Sequence, residues 1–600
     1  MTAGPLERNT EGLPAVDIRF RWPGQGPSGE CDNFFLGVWH PHRPIHVDWT
    51  GAASVDHVAR RGPNWLLASA VSPHHAAGTG LVHAASDSSG AAAFRGYIVP
   101  RLHSYAASRD ILQYWTHRLH AEHNGVFSAA VVGADGRTLT LVTDVLGMGP
   151  VYYRMLGDAI VFATNPRYLM IDDDGPDLLA WRSLVQTSWI VGDRSLSRDV
   201  KRLPAGHTLS LSARGQTLAP WFDFQRLPAG TRAVGPTAVS EVEEALEQAI
   251  GRCLQLQTGG VVLPLSSGFD SRRMLAIMMK ARVDFQAITC RTYQKSHRDL
   301  DARYAHQMAR DFRFAHQIVE PGTYQQYVAD DVARRVLVAS ETREHSWAIS
   351  VMKALPNRPT LFFDGIGGDI LGDPVGWSVH VGLAVESRSP DSEVDAIARL
   401  SIRNTFDSVL SPTRWPHLEE VRQEVKSYVG SFLPRQNLSE LAFLLLRQRR
   451  AIAPWSQQLL PPGHVPVCPY LDLDYLRVLL DFTSVDKHAT KFQRACLREF
   501  WPDLYRYPGN RDIPEDLPPG SPDLEDNRAL GCYAPMRDEI EAQGGMRLLE
   551  DMLTPKGRLV LRVSKWSRAI QIRSLWYLHP VMELVFQQAH RRPCWDWRAG

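Results

Sequence analysis

At 600 residues the chain exceeds what one compact core accommodates, so two domains with additions are expected. Its 66 basic and 65 acidic residues leave a formal net charge of +1, which excludes a polybasic nucleic-acid or membrane-surface binder and an acidic-tail protein. An apolar content of 44% with 22% charged residues excludes wholesale disorder, and no apolar run approaches the roughly 20 residues that span a bilayer.

The first fourteen residues lack the apolar stretch of a secretory signal, so the expectation is a soluble, cytoplasmic protein. Seven scattered cysteines without a CxxC pair agree, since a disulfide framework or a zinc site needs closer, paired spacing. Lysine is scarce: 9 of the 66 basic residues are Lys, which leaves few candidates for a catalytic lysine.

Residues 1–32, rich in Pro, Gly and polar side chains, read as a flexible arm. Short apolar or alternating runs then predict strands at Asn33–His40, Gly96–Pro100, Val126–Gly133, Thr138–Asp144, Pro150–Met155, Ala159–Thr164 and Thr208–Ala213, with a turn at Ala134-Asp135-Gly136. Pro228–Pro236 reads as a linker. Beyond it the period changes. Val239–Leu254 carries helical spacing, Val261–Leu265 reads as a buried strand and Arg272–Ala281 as a helix. Phe285–Cys290 follows as a strand, Ala302–Phe312 as a helix and Thr360–Gly365 as a further strand. Strand, glycine turn, helix and strand in succession predict a parallel sheet with crossover helices. From about residue 380 helices dominate, interrupted by a Pro- and acid-rich loop at Pro514–Asp526.

The turn Leu265-Ser266-Ser267-Gly268-Phe269-Asp270-Ser271, between a strand and a helix, aims backbone N–H groups and a helix N-terminus at one spot, which suits a phosphate or pyrophosphate. Asp270 fits such a site if a cation such as Mg²⁺ lies between it and the phosphates. The Walker A pattern is absent. A second turn, Asp364-Gly365-Ile366-Gly367-Gly368-Asp369, places three glycines between acids after another strand, so Asp369 could supply a second carboxylate to the same metal. The bland alternatives are a Ser-capped helix start and a solvated glycine loop. The predicted nucleotide set is therefore Leu265, Ser266, Ser267, Gly268, Phe269, Asp270, Ser271, Gly365, Gly367 and Gly368, with Thr289 in the second strand.

These two turns resemble the SGGxDS pyrophosphate loop and the later SGxGxDE loop of the asparagine synthetase superfamily. Collinear segments extend the resemblance over roughly residues 33–505. Asp301–Ala309, Pro469-Tyr470-Leu471-Asp472 and Lys491–Phe500 resemble its synthetase half. Asn124–Tyr153, and Arg202–His207 with Trp221, resemble its glutaminase half. The resemblance implies an α/β and α+β fold: an N-terminal Ntn-hydrolase-like αββα sandwich over 33–227, then a PP-loop ATP pyrophosphatase-type parallel sheet with a helical extension over 237–600. It also implies ATP and Mg²⁺ as cofactors.

Departures from the family pattern narrow the function. The glutaminase nucleophile of the family is Cys at residue 2; here Thr2 opens a polar arm, and Cys31 would need cleavage to expose its amine. The family's glutamine-gripping N-G-E-I segment is Arg95-Gly96-Tyr97-Ile98. Together these imply a retired glutaminase kept as scaffold. In the synthetase half, Ile366 and Ile370 stand at family Glu positions, and residues 501–555 contain no Lys, leaving Lys487, Lys491, Lys556 and Lys565 as candidates. ATP binding is thus expected to persist with a rebuilt second half-reaction, for which Glu341, Glu344 and His345, read as lying on a helix, are the candidate bases. A solvated polar helix face is the competing reading of those three.

The expected activity is adenylation of a carboxylate followed by amide formation. It is expected to be intramolecular, as in β-lactam synthetases and lasso-peptide macrolactam synthetases of natural-product biosynthesis. The substrate would be a small molecule or peptide carrying both carboxylate and amine. A precursor peptide and a protease would be partners; nucleic acid and membrane would not. An asparagine synthetase fed by ammonia or glutamine, and a non-catalytic ATP-binding relative, stay open.

Overall fold

The computed structural model describes residues 14–22, 33–50, 57–70, 84–100, 102–103, 108–119, 121–172, 174–256, 259–291, 299–320, 324–342, 347–368, 390–402, 407–461, 463–484, 486–487, 492–509, 536–564, 566, 568–589 and 594–597. Thr2, Cys31, Glu344, His345, Asp369, Ile370, Lys491, Lys565 and the loop at 514–526 lie outside these residues.

The N-terminal half is two antiparallel sheets face to face. One runs Lys201–Arg202, Tyr152–Leu156, Ala159–Ala163, Phe35–Trp39, Trp65–Ala70, His57–Arg61; the other runs Gly215–Pro220, His207–Ser212, Thr138–Thr143, Gly125–Gly133, Gly90–Ile98, Ala84–Asp87. Phe35 and Trp39 point between the sheets, where they join Leu67, Ala93, Ala130, Leu141 and Phe162. Leu36 and Val38, one residue out of phase, enter a second cluster on the outer face. A strand covered on both faces must be apolar at every position, which is why this segment reads as an unbroken run. The turn from Gly133 to Thr138 closes as its sequence predicts: Gly136 sits at φ +69 with its N–H 2.9 Å from the Gly133 carbonyl.

The outer faces are covered differently. The helix Ser108–Arg118 lies over one sheet through Ile111, Leu112 and Trp115. The other sheet carries a small three-stranded sheet on its outer face. Val16–Arg21 pairs parallel with Ile45–Thr50 and antiparallel with Trp595–Trp597. The flexible arm read over residues 1–32 is corrected to that extent. Val16, Ile18 and Phe20 alternate inward, and Phe20, Trp22, Trp49 and Trp595 form an aromatic cluster with ring centroids 4.6–5.2 Å apart. Apolar residues at every second position were the available signal, hidden by flanking Pro and Gly.

The C-terminal half is built on five strands, every neighbouring pair parallel, in the order Ala315–Val319, Gln286–Cys290, Val261–Pro264, Thr360–Phe363, His464–Val467. The three central strands match the sequence expectation. The two edge strands do not stand out in sequence: one is polar (AHQIV) and the other carries Pro466 in its interior, which an edge strand tolerates. Helices Ala238–Leu254, Phe269–Lys280 and Leu300–Phe312 contribute to the core on one face of the sheet; Ala348–Lys353 and Pro454–Leu459 cover the other. Among the described residues no helix is long and apolar enough to cross a membrane.

The two halves share one core. Tyr97, Val126, Leu146 and Trp189 of the sandwich pack in the same cluster as Leu246, Leu263, Leu441 and Tyr475. Buried arginines extend the contact. Arg449, on the π-helical segment Leu444–Ile452, donates to the Leu203 carbonyl at 2.9 Å and to Asp193 at 2.7 Å. Arg450 reaches the Arg194 carbonyl at 2.8 Å.

His123, 1% exposed, packs among Trp115, Phe127 and Trp221, and burial lowers its pKa to about 4. Unfolding restores the ordinary value of 6.5, so the unfolded chain binds the extra proton as pH falls through 6.5 toward 4. At pH 5 this histidine alone is expected to remove about 2 kcal/mol of the stability present at neutral pH. Denaturant unfolding at pH 7 and pH 5 of the wild type and a His123→Gln variant checks it: the variant is expected to lose less on acidification.

Candidate active site

The strand order makes Val261–Pro264 the point where successive connections leave in opposite directions, toward Gln286–Cys290 on one side and Thr360–Phe363 on the other. In open parallel sheets a crevice forms at the carboxyl ends of strands at that point, because the two loops diverge to opposite faces. Both predicted turns lie there, following these two strands.

The first turn leads into the helix Phe269–Lys280, with Gly268 as its cap residue and Asp270 in its first turn. Leu265 is buried, and its N–H reaches the Ile288 carbonyl at 2.9 Å. Thr289, also buried, donates to the Leu265 carbonyl at 2.6 Å, so it braces the loop rather than presenting a hydroxyl outward. Ser266 and Ser271 face one another with hydroxyls 3.1 Å apart, and the Gly268 N–H donates to the Ser266 hydroxyl at 3.0 Å. Ser267 is turned away from them. Its N–H and hydroxyl both donate to the Asp301 carboxylate, at 2.8 and 2.6 Å. Two guanidiniums lie over the Phe269 ring, Arg272 at 4.7 Å and Arg494 at 5.0 Å from its centre.

The second turn comes against the first. The Asp364 N–H pairs with the Val467 carbonyl at 2.8 Å, its carboxylate accepts from the Ile366 N–H at 3.1 Å, and burial pushes its pKa up to about 6. Gly365 lies beside Met274 and Asp270, and Gly367, at φ +89, lies beside Leu471. Gly368 makes the closest approach: a Cβ there would stand 2.6 Å from the Asp270 Cγ. No side chain fits without moving that carboxylate. Gly368→Ala is therefore expected to lower nucleotide-dependent turnover by about a hundredfold, the order of effect of a 1 Å misplacement, while the melting temperature changes little. Parallel rate and melting measurements check it.

Two further elements converge on Asp270. The Tyr470 hydroxyl donates to its carbonyl at 2.9 Å. Gln493 donates its amide to the Asp270 carboxylate and, at 2.6 Å, to the Gly368 carbonyl. Arg273 donates to the Gln493 side-chain oxygen at 2.6 Å and to Glu243 at 3.0 and 2.8 Å. Sequence reasoning missed Gln493, Arg273, Glu243 and Asp301 as members of this site; the segments around Asp301 and Gln493 stood out only by resemblance.

Of the candidate bases, Glu341 is in the described chain and belongs elsewhere. It is buried, outside any helix, accepts from the Tyr152 hydroxyl at 2.7 Å and pairs with Arg450 at 3.0 Å. Neither partner belongs to the two loops, so the catalytic reading of Glu341 is corrected to a structural one. Lys487 is likewise buried, paired with Glu440 at 3.0 Å, and Lys556 lies on the surface beside Ser408.

The segment corresponding to a glutamine-gripping loop serves as a domain contact. The Tyr97 hydroxyl accepts from the Cys468 N–H at 2.9 Å. Among the described residues the free thiols Cys253, Cys290, Cys468, Cys496 and Cys594 are all buried, and burial pushes up the pKa of Cys253, Cys468, Cys496 and Cys594.

Residues 110–222 match the family model of a glutamine amidotransferase domain. A 210-residue stretch is 27% identical to "Asparagine synthetase [glutamine-hydrolyzing] 2" of Bacillus subtilis (strain 168), covering 32% of this chain and 28% of that protein. Over part of its length the chain is thus similar to a glutamine amidotransferase domain and to an asparagine synthetase. The match spans less than a third of its curated relative. Solved structures similar to the chain include an allosteric regulatory enzyme of purine biosynthesis (9% identity, 49% of this chain and 76% of that one, TM-score 0.20). Another is NMN synthetase from Francisella tularensis (14% identity, 35% and 93%, TM-score 0.17). At such scores they add nothing to the topology already read from the strands.

Asp270 is the carboxylate of the first loop that comes against the glycines of the second. Among the described residues no group of three or more His, Cys, Asp or Glu could hold a metal by itself. One or two carboxylates completed by phosphate oxygens is the usual arrangement for Mg²⁺, so the residues fit a cation that arrives with a nucleotide.

Proposed function

We propose that this chain is an ATP-dependent ligase that forms an amide bond. The observation that carries the reading is the meeting of two glycine-bearing loops around Asp270 at the switch point of a five-stranded parallel sheet. A substrate carboxylate oxygen attacks the α-phosphorus of ATP, the bond to the β-phosphate oxygen breaks, and pyrophosphate leaves. An amine nitrogen then attacks the acyl carbon of the adenylate, AMP departs, and the amine proton passes to a base. Backbone N–H groups at Gly268 and the start of the Phe269–Lys280 helix would hold the leaving phosphates. Mg²⁺ bound with the nucleotide would neutralise their charge, with Asp270, and Asp369 outside the described residues, as ligands. Glu344 and His345 remain candidates for the base.

The finer reading is ring closure within one substrate that carries both groups, in the manner of β-lactam and lasso-peptide macrolactam synthetases. Supporting it are the altered Arg95–Ile98 segment and the use of Tyr97 as a domain contact, which leave no obvious grip for glutamine. The second reading, synthesis of asparagine from aspartate and ammonia, is favoured by the similarity to a Bacillus asparagine synthetase.

ATP–pyrophosphate exchange with Mg²⁺ tests both, with L-aspartate in one arm and peptides bearing an acidic side chain and a free N-terminal amine in the other. Exchange that depends on aspartate makes the chain an asparagine synthetase. Exchange that depends on a peptide, with loss of one water in the product mass, makes it a ring-forming ligase. If ATP fails to bind at all, the ligase proposal falls.

A further inference from the structure

Gln493 sits in the second position of the helix Phe492–Phe500, on an element separate from both loops. Its amide is oriented without ambiguity. Arg273 can only donate, so it must face the side-chain oxygen; Nε2 must then face the two acceptors, the Asp270 carboxylate and the Gly368 carbonyl. A flipped amide would set an oxygen against both. The far end is fixed as firmly: Glu243 takes two bonds from Arg273 through one oxygen and the Trp501 indole N–H at 2.7 Å through the other. Gln493, Arg273 and Glu243 are all buried.

One nitrogen thus ties the carboxylate of the first loop to the backbone of the second. A strut anchored in a buried ion pair is not displaced by ligand; it sets the separation of the loops and the rotamer of Asp270. We propose that Gln493, gripped by the Arg273–Glu243 pair, is a positioning residue that presents Asp270 to the divalent cation of the bound nucleotide. This role rests on the reading of the two loops as the nucleotide site.

The test uses the full chain and two variants. Gln493→Leu keeps the volume and removes both donors; Glu243→Gln loosens the grip on Arg273 from a distance. The Mg²⁺ concentration that half-saturates ATP binding, followed by calorimetry, is the main readout. It is expected to rise about tenfold or more in Gln493→Leu, as for other residues that orient a metal ligand. A smaller shift in the same direction is expected in Glu243→Gln. ATP–pyrophosphate exchange should lose far less at saturating Mg²⁺ than at limiting Mg²⁺, a split that general loosening of the fold would not produce. A folded Gln493→Leu protein with wild-type Mg²⁺ dependence overturns the proposal. If that variant does not fold, an unchanged Mg²⁺ dependence in Glu243→Gln overturns it instead. Failure of the wild type to bind Mg²⁺ and ATP would sink the nucleotide-site reading and this role together, whereas normal wild-type binding with unshifted variants would sink this role alone.

Discussion

Asp270→Ala is expected to reduce Mg²⁺-dependent ATP–pyrophosphate exchange by about three orders of magnitude, the cost of losing ~4 kcal/mol of charge stabilisation at roughly 1.4 kcal/mol per decade. The reason is electrostatic. Asp270 stands in the first turn of a helix whose N-terminus favours anions, so a carboxylate there opposes a phosphate unless a cation joins the two. Asp270→Asn isolates the charge, because the amide oxygen can still accept from Gln493 while the negative charge is gone. It is expected to lose nearly as much activity as the alanine variant, with less disturbance of the melting temperature. An asparagine variant that keeps exchange near the wild-type rate would show that the carboxylate charge plays no part in the chemistry.

Removing Glu341 is expected to damage stability rather than catalysis. Its partner Arg450 is fully buried, and deleting one member of a buried pair leaves the other charge uncompensated, at a cost of about 3–5 kcal/mol. Glu341→Ala should therefore lower the midpoint of denaturant unfolding strongly, while the folded fraction exchanges pyrophosphate normally. A double variant, Glu341→Leu with Arg450→Met, should cost less than the sum of the single changes, because the stranded charge is removed along with its partner. If Glu341→Ala kept full stability and normal exchange yet made no amide product, the residue would be a base after all and the structural assignment would fail.

Strand and helix periods made the central part of each half legible. Phe35–Trp39 read as a strand because both its faces are covered, and the helices Ala238–Leu254 and Leu300–Phe312 read as helices because one face of each is apolar. The edge strands Ala315–Val319 and His464–Val467 were not legible, since an edge position neither requires continuous apolar residues nor excludes proline. Val16–Arg21 was missed for another reason. Its local alternation was masked by flanking Pro and Gly, and its partners, Ile45–Thr50 and the distant Trp595–Trp597, are named by no local pattern.

The same division holds at the site. The sequence by itself determined that two loops of the right composition follow two buried strands, because glycine, serine and aspartate at those spacings carry their chemistry locally. Tertiary structure alone decided how they are used. Parallel pairing of Val261–Pro264 with Thr360–Phe363 brought loops about a hundred residues apart into contact, and the Gly368–Asp270 approach followed from that pairing. It also decided that Ser267 faces Asp301, that Glu341 serves Arg450, and that Gln493 joins the two loops. Each of these depends on which distant acceptor or donor is left to satisfy a buried polar group, and that is fixed only when the whole core has closed around it.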